Sequence, residues 1–488
     1  MFLQELKFGV RRLGKTPGFT IVAVLTLALG IAANTAIFSV INGLFFHPAG
    51  VSDPGRLLAI RAKYDKLNLK SIEVSLPDFA NVRDSKQMFS SAAVATPGDY
   101  NYVGNGLPER LLGANVSWQW LQTFGTRPIL GQDFRPEEDQ PGANHEAILS
   151  YETWQRVFGG DADIVGQTIQ LNSQPYKVVG VMGPGFDWPN QAQIWVPLGL
   201  PPAEYGPDNR FNEAYFAVAR VKPGVPVERA EAFVKLLAQQ SVEPGRAAAY
   251  AKDSNWGMFA LPLIEFIYGD LRTPMLVLLG AVGFALLITC ANVAGLMLAR
   301  ASGRSRELAI RCALGARSSH LIRQTMADSL LISAGGSLLG LGLAFSAVDA
   351  LRGLAPENTI RKVAIPMDAN VLLFTLAVGV VAAVLFGVAP AWQIARVSDF
   401  EFLKEGGRSN TAGRARQRLR SALVVAEVGL ALVLLVGAGL FLRSLARMQE
   451  VSPGFDSRGV ITAAVSLSPQ PIRIRPGKCL FMNRSRGA

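Results

Sequence analysis

Residues 274–298 read PMLVLLGAVGFALLITCANVAGLML, 25 positions without a charged side chain. A helix that crosses the hydrocarbon core of a bilayer needs about 20 mostly apolar residues, so this stretch alone predicts a transmembrane span. Four further stretches pass the same test with no Lys or Arg inside them: Phe19 to Phe46, Thr325 to Val348, Val371 to Ile394 and Ser421 to Leu442. The first follows Lys7, Arg11, Arg12 and Lys15 as a secretory signal would, but its apolar run is about twice that of a signal peptide, and it reads as an uncleaved anchor. Ahead of it Leu3, Leu6, Val10 and Leu13 recur at spacings of three and four with the basic residues on the other face, which predicts an interfacial amphipathic segment over residues 1–18. The whole 488-residue chain agrees: 50% of it is hydrophobic, only 17% is charged and the mean hydropathy is +0.26. That composition excludes a disordered or collagenous chain and argues against an ordinary cytosolic enzyme.

Short basic loops stay on the cytoplasmic side, and the charges between the spans alternate accordingly. Residues 299–324 carry Arg300, Arg304, Arg306, Arg311, Arg317 and Arg323 against Glu307 alone. Residues 395–420 hold Arg396, Lys404, Arg408, Arg414, Arg416, Arg418 and Arg420 against Asp399, Glu401 and Glu405. The segment from Asp349 to Asp368 is balanced. The expected topology therefore has a cytoplasmic N-terminus, a large extracytoplasmic domain over residues 50–271, and a multi-pass helical remainder ending in an extracytoplasmic tail, 443–488. The outer domain holds 25 acidic and 19 basic residues, a balance of −6, so the net charge of +11 belongs to the membrane edges and the tail. With no basic patch interleaved with aromatics, nucleic acid is not an expected partner; the bilayer is.

Inside the outer domain short strand-like and helix-like runs alternate, predicting a mixed α/β fold. Trp154, Val157 and Phe158 fall at helical spacing and are followed by Gly159-Gly160, a helix stop. Residues 166–171 and 176–182 are strand-like runs around the turn-forming Asn172-Ser173, a hairpin pattern. Six of the seven tryptophans lie in this domain, and core packing is the expected reason. The three cysteines and three histidines are scattered, so no metal, cofactor or catalytic constellation is expected. Gly9 to Thr16 matches the GxxxxGK[ST] phosphate loop, but no strand precedes it and Pro17 and a span follow, so it is read as a chance match.

Within the loop of residues 299–324, Arg304-Ser-Arg-Glu-Leu-Ala-Ile-Arg-Cys-Ala-Leu-Gly-Ala reads as a short amphipathic helix with Glu307 and Arg311 paired and Gly315 as its stop. Such a helix either lies on the bilayer surface or is presented to a cytoplasmic partner. Ser398-Asp-Phe-Glu401 is a capping box for a second short helix. Two acids, Asp328 and Glu427, sit inside apolar spans, close enough to the cytoplasmic end for snorkelling or pairing with a loop arginine. Gly336 and Gly340 form a small-xxx-small pair suited to close helix packing.

The segment from Arg304 to Ala316 resembles the coupling helix of the MacB/FtsX-type ABC transporter permeases. Ser150-Tyr-Glu-Thr-Trp-Gln-Arg-Val-Phe-Gly-Gly, followed by Val179-Val-Gly-Val-Met-Gly-Pro-Gly-Phe, is similar to their MacB-type periplasmic core domain. The opening through Gly30-Ile-Ala-Ala-Asn-Thr-Ala is most similar to the duplicated permeases described from acidobacteria. The resemblance implies a bacterial inner-membrane permease subunit without a nucleotide-binding domain of its own, driven by a separate ABC ATPase, in which movement of the spans is transmitted to the outer domain for efflux of peptide, antibiotic-like or lipoprotein cargo. It further implies that Arg304, Arg306, Glu307, Ile310, Arg311, Leu314 and Gly315 contact that ATPase, and that a second permease chain and envelope proteins are candidate partners. The alternatives are an envelope regulator of the FtsX kind or an inactive remnant. A fifth span departs from the single-unit pattern. Val451-Ser-Pro-Gly-Phe-Asp beyond it echoes Val51-Ser-Asp-Pro-Gly, as the start of a second copy would, and the acid-free Pro469 to Ala488 then predicts a truncated or frameshifted end.

Overall fold

The computed structural model describes residues 2–46, 48, 50–104, 108–242, 244–303, 318–354, 368–397 and 411–450. The expectations placed on Arg304 to Ala316, on the capping box at Ser398 and on the tail beyond residue 450 lie outside the described residues. The chain divides into two units, one of Met1–Ala49 with Ile264–Val451 and one containing Gly50–Leu263. It starts with helices α1 (Phe2–Gly14) and α2 (Pro17–Ile41), the latter running into a π turn at Asn42–Phe46. Gly9 and Gly14 both lie within α1, which is helix throughout, so the phosphate-loop match has no loop to form.

The second unit begins with β1 (Leu57–Tyr64), β2 (Leu69–Ile72), α3 (Leu76–Asp84), β3 (Phe89–Tyr102), β4 (Glu109–Val116) and α4 (Trp120–Phe124). It continues through β5 (Leu130–Gly131), β6 (Glu146–Leu149), α5 (Tyr151–Phe158), β7 (Thr168–Leu171), β8 (Gln174–Val181) and β9 (Ile194–Pro197). It closes with β10 (Phe216–Val221), α6 (Val227–Ser241), α7 (Arg246–Ser254) and β11 (Trp256–Pro262). These strands form one mixed sheet in the order β11-β1-β10-β3-β4-β9-β6-β8-β5, with β2 on β1 and β7 bridging β3 and β8. All pairs are antiparallel except β4 with β9 and β6 with β8.

Local signals account for several of these elements. Ser150 caps α5 by accepting the Thr153 amide at 3.2 Å, and Gly159 ends it at φ 63, a left-handed conformation that glycine adopts without steric cost. Asn172 and Ser173 both have positive φ, 52 and 64, which is the primed turn that matches strand twist. The Asn172 side chain then ties this β7–β8 hairpin to β3, accepting from the Asn101 amide at 2.9 Å and donating to the Asp99 carbonyl at 3.0 Å.

The 14-residue β3 serves two cores. Its first half, Phe89, Ala92 and Val94, packs with α3, α6, β1 and β10; further on, Tyr100 packs with Leu111, Trp154, Ile169 and Val178 around α5. Trp120, Trp154, Trp188 and Trp195 are buried, and the indoles of Trp120 and Trp195 both donate to the Trp188 carbonyl, at 3.3 and 2.6 Å. Four of the six tryptophans are thus core residues, and the Trp154 indole too is satisfied, by the Asp161 carbonyl at 2.8 Å.

The first unit resumes with α8 (Leu263–Gly303), α9 (Ser318–Leu354), α10 (Ala369–Val397) and α11 (Thr411–Glu450). Five helices among the described residues are long and apolar enough to cross a membrane, and each of the five apolar stretches read from the sequence lies within one of them. Helix α2 is the centre of the packing. Against α9 it comes so close that a Cβ on Gly336 would sit 2.9 Å from the Leu27 Cβ, and one on Gly340 would sit 3.0 Å from the Ala28 carbonyl oxygen. Helix α10 meets α2 through a Thr35–Thr375 hydroxyl pair at 3.1 Å and stacked Phe38 and Phe374 rings, 3.9 Å between centroids. It meets α9 through the Ser333 hydroxyl, which donates to the Gly379 carbonyl at 2.5 Å. Helix α8 is held to α2 by Asn34, whose amide donates to the Val282 carbonyl at 2.9 Å. Such polar crosslinks suit helices that share an apolar solvent, where bare hydrophobicity does not drive helices together. None of the apolar window of α11 is buried.

Candidate functional site

The candidate coupling segment, Arg304 to Ala316, lies in the chain between the end of α8 and the start of α9. What the structure describes is the frame around that gap, assembled from α1, α2, α8 and α9. An elbow at Lys15-Thr16 joins α1 to α2: Pro17 starts α2, and the Thr20 hydroxyl donates to the carbonyls of Leu13 and Thr16, at 2.9 and 3.0 Å. These bonds occupy carbonyls that the end of α1 would otherwise leave unmatched.

The sequence reads Leu3, Leu6, Val10 and Leu13 as the apolar face of an interfacial helix; the side chains of Leu3 and Leu6 lie outside the described residues. Among the described side chains of α1, Glu5 and Leu13 are buried, as is Gly9, and Arg12 is 19% exposed at the side chain, while Phe8 and Val10 face out at 63% and 58%. Arg12 is turned toward α9, which offers it a charge. Arg12 Nη1 lies 3.1 Å from Asp328 Oδ2. With its amide oxygen turned toward the guanidinium, Gln324 accepts from both terminal nitrogens of Arg12, at 2.6 and 2.8 Å. Gly9 makes the approach possible: a Cβ there would come within 2.6 Å of Leu331 Cδ1 and 3.1 Å of Asp328 Oδ1. On the other side of the gap the Arg300 guanidinium lies over the Phe19 ring of α2, 4.7 Å from its centroid, a cation–π contact.

Of the residues singled out from the sequence, Asp328 is paired with Arg12 of the N-terminal helix. Glu427 stands on α11, half-buried. Arg304, Arg306, Glu307, Ile310, Arg311, Leu314 and Gly315 lie outside the described residues. Sequence reading missed Arg12 and Gln324, whose one available signal was that an acid inside an apolar span needs a cation within reach.

In the outer unit the charged groups form structural pairs. Arg210 Nη1 meets Asp78 Oδ1 at 2.5 Å with both side chains buried, and the Ser75 hydroxyl donates to the other oxygen of Asp78 at 2.6 Å. Glu138 accepts from the side chain and the backbone of Arg135, at 2.8 and 2.9 Å. Burial, reinforced by the hydrogen bond and charge of Glu138, raises the neighbouring Glu146 from 4.5 to about 7. Burial also raises Asp133 to about 6. Among the described residues no group of three or more His, Cys, Asp or Glu is placed to hold a metal ion.

A bundle of long apolar helices with a mixed α/β domain inserted between its first and second spans defines a multi-pass membrane protein with one large inserted domain. Comparison with known proteins agrees: the model of the MacB-like periplasmic core domain matches residues 20–236, and that of the FtsX-like permease C-terminal region matches residues 279–398. The chain belongs to the MacB/FtsX-type ABC transporter permeases, and it is an inner-membrane multi-pass protein with a periplasmic domain. It is 27% identical over 277 residues to the pyoverdine export ATP-binding/permease protein PvdT of Pseudomonas syringae pv. syringae, covering 55% of this chain and 39% of that one. It is 24% identical over 318 residues to the macrolide export ATP-binding/permease protein MacB 2 of Aeromonas hydrophila, covering 64% and 46%. The chain thus spans less than half the length of these curated relatives. Among solved structures it is similar to the periplasmic region of MacB from Actinobacillus actinomycetemcomitans, at 13% identity and a TM-score of 0.33, covering 47% of this chain and 97% of that one. Permeases of this family work with ABC ATPase partners in the membrane.

Proposed function

We propose that the chain couples ATP hydrolysis by a separate cytoplasmic ABC ATPase to movement of its periplasmic domain, and so exports peptide, antibiotic-like or lipoprotein cargo. The observation that carries this reading is the order of the two family matches in one chain: a periplasmic core domain first, then the permease helices that flank the coupling segment. In this reading the N-terminus and residues 304–315 are cytoplasmic, in line with the arginine-rich character of the short segments on that side. The ATPase docks on Arg304, Arg306, Glu307, Ile310, Arg311, Leu314 and Gly315. Glu307 is the one acid among the arginines of that segment, and a guanidinium in its place reverses the charge a basic pocket on the partner would select.

The test is co-purification of the full chain in nanodiscs with candidate ATPases from the same cell, comparing wild type with Glu307→Arg. Capture of an ATPase by wild type and its loss in the variant supports the proposal. A folded, membrane-inserted chain that captures none of them overturns it and moves the envelope-regulator reading ahead.

A further inference from the structure

Arg12 of the N-terminal helix holds α9 at two places. Arg12 contacts both Gln324 and Asp328, one helical turn apart, and these lie about 9 and 15 Å along α9 from its first residue at 1.5 Å per residue. They are thus the turns of α9 that lie next to the coupling segment. Arg12 is in turn tied to α2, because the Thr20 hydroxyl bonds the Leu13 and Thr16 carbonyls, and because Leu13 packs in the same core as Ala23, Leu27 and Ile332.

An ion pair taken out of water contributes little net stability compared with apolar side chains of the same size, whereas removing one partner is costly. What a forked guanidinium adds is a fixed geometry between two helices. Gly9 is consistent with this close approach: a Cβ there would meet Leu331 Cδ1 at 2.6 Å and Asp328 Oδ1 at 3.1 Å, so both side chains would have to shift.

We propose that Arg12, gripped by Asp328 and Gln324, is a clamp through which displacement of the coupling segment is passed from α9 to α1 and, through the elbow, to α2. Arg12, Asp328 and Gln324 are positioning residues in this scheme: they make no contact with the ATPase, and they decide whether its docking moves the spans. The clamp rests on the permease reading above for the source of the displacement and on the geometry for its path.

The experiment uses the full chain in nanodiscs with the ATPase it captures, comparing wild type, Arg12→Asp, Asp328→Arg and the double exchange. Two quantities are read: ATPase captured per permease, and ATP hydrolysed per captured ATPase. The clamp predicts that each single reversal captures within about twofold of wild type yet hydrolyses at least about fivefold more slowly, and that the double exchange recovers most of the loss, the size expected of a coupling energy between two sites. Unchanged hydrolysis in the single variants, or a double exchange no better than either, overturns it. If the reversals fail to insert, Arg12→Gln and Asp328→Asn give the same comparison without an added like charge. A wild type that captures no ATPase refutes the permease reading instead. Hydrogen exchange over residues 2–14 then decides the clamp by itself: protection lost in the single variants and regained in the double supports it, and unchanged protection overturns it.

Discussion

The contact between α2 and α9 can be probed by adding single methyl groups along one helix. Four glycines of α9 differ in what a new Cβ would meet. At Gly342 it meets nothing within 4 Å, and at Gly335 it makes an ordinary contact, 3.4 Å from Val24 Cγ2. At Gly336 it would lie 2.9 Å from the Leu27 Cβ, and at Gly340 it would lie 3.0 Å from the Ala28 carbonyl oxygen and 3.2 Å from the Ile31 Cβ. Neither close neighbour is the free end of a flexible side chain, so the helices themselves must part by several tenths of an ångström. Alanine gains about 1 kcal/mol over glycine in a helix interior wherever it fits. Overpacking a close contact costs about 1–3 kcal/mol, so the 336 and 340 variants should fall about 1–3 kcal/mol below the 335 and 342 variants. Unfolding of the purified protein by SDS titration in mixed micelles, followed by helical circular dichroism, measures the difference. Equal stability of Gly340→Ala and Gly342→Ala would refute the close packing of α2 on α9.

Removing Arg210 by Arg210→Ala strands the fully buried Asp78 carboxylate and should lower the stability of the outer unit by about 3–5 kcal/mol. Urea unfolding followed by tryptophan fluorescence reads this unit, since six of the seven tryptophans lie in it. Glu146 supplies a pH signature. Its folded value, raised from 4.5 to about 7, means the native state binds the proton more tightly than the unfolded chain, so stability grows as pH falls from about 7 toward 4.5. Glu146→Gln should therefore melt above wild type at pH 8 and lose that advantage by pH 5. An advantage independent of pH would show that the carboxyl is not strained by its burial beside Glu138.

Much of the architecture was legible from local pattern. Uninterrupted apolar length marked the helices that can span a bilayer, because the bilayer imposes one length on all of them. The Ser150 cap, the Gly159 stop and the Asn172-Ser173 turn were legible because each depends on backbone preferences of a few adjacent residues. Gly336 and Gly340 were legible as a packing surface, though not as one for α2. The site was less legible. The coupling residues could be named through resemblance alone, and the role of Arg12 was hidden because its partner Asp328 is more than 300 positions away in the chain.

By itself the sequence determined the class of protein: apolar runs of bilayer length, an outer domain of alternating short strands and helices, and basic segments between spans. These are properties of residues close together in the chain, and the solvent on each side of the bilayer selects them directly. Only the tertiary structure decided which surfaces meet. It made β4 and β9 parallel neighbours, seated α9 on α2 at two glycines, and turned Arg12 rather than Val10 toward the bundle. Hydrophobic periodicity ranks a helix face by its apolarity, but a carboxylate already inside an apolar span outweighs a methyl group, because leaving it without a cation costs more than exposing a valine.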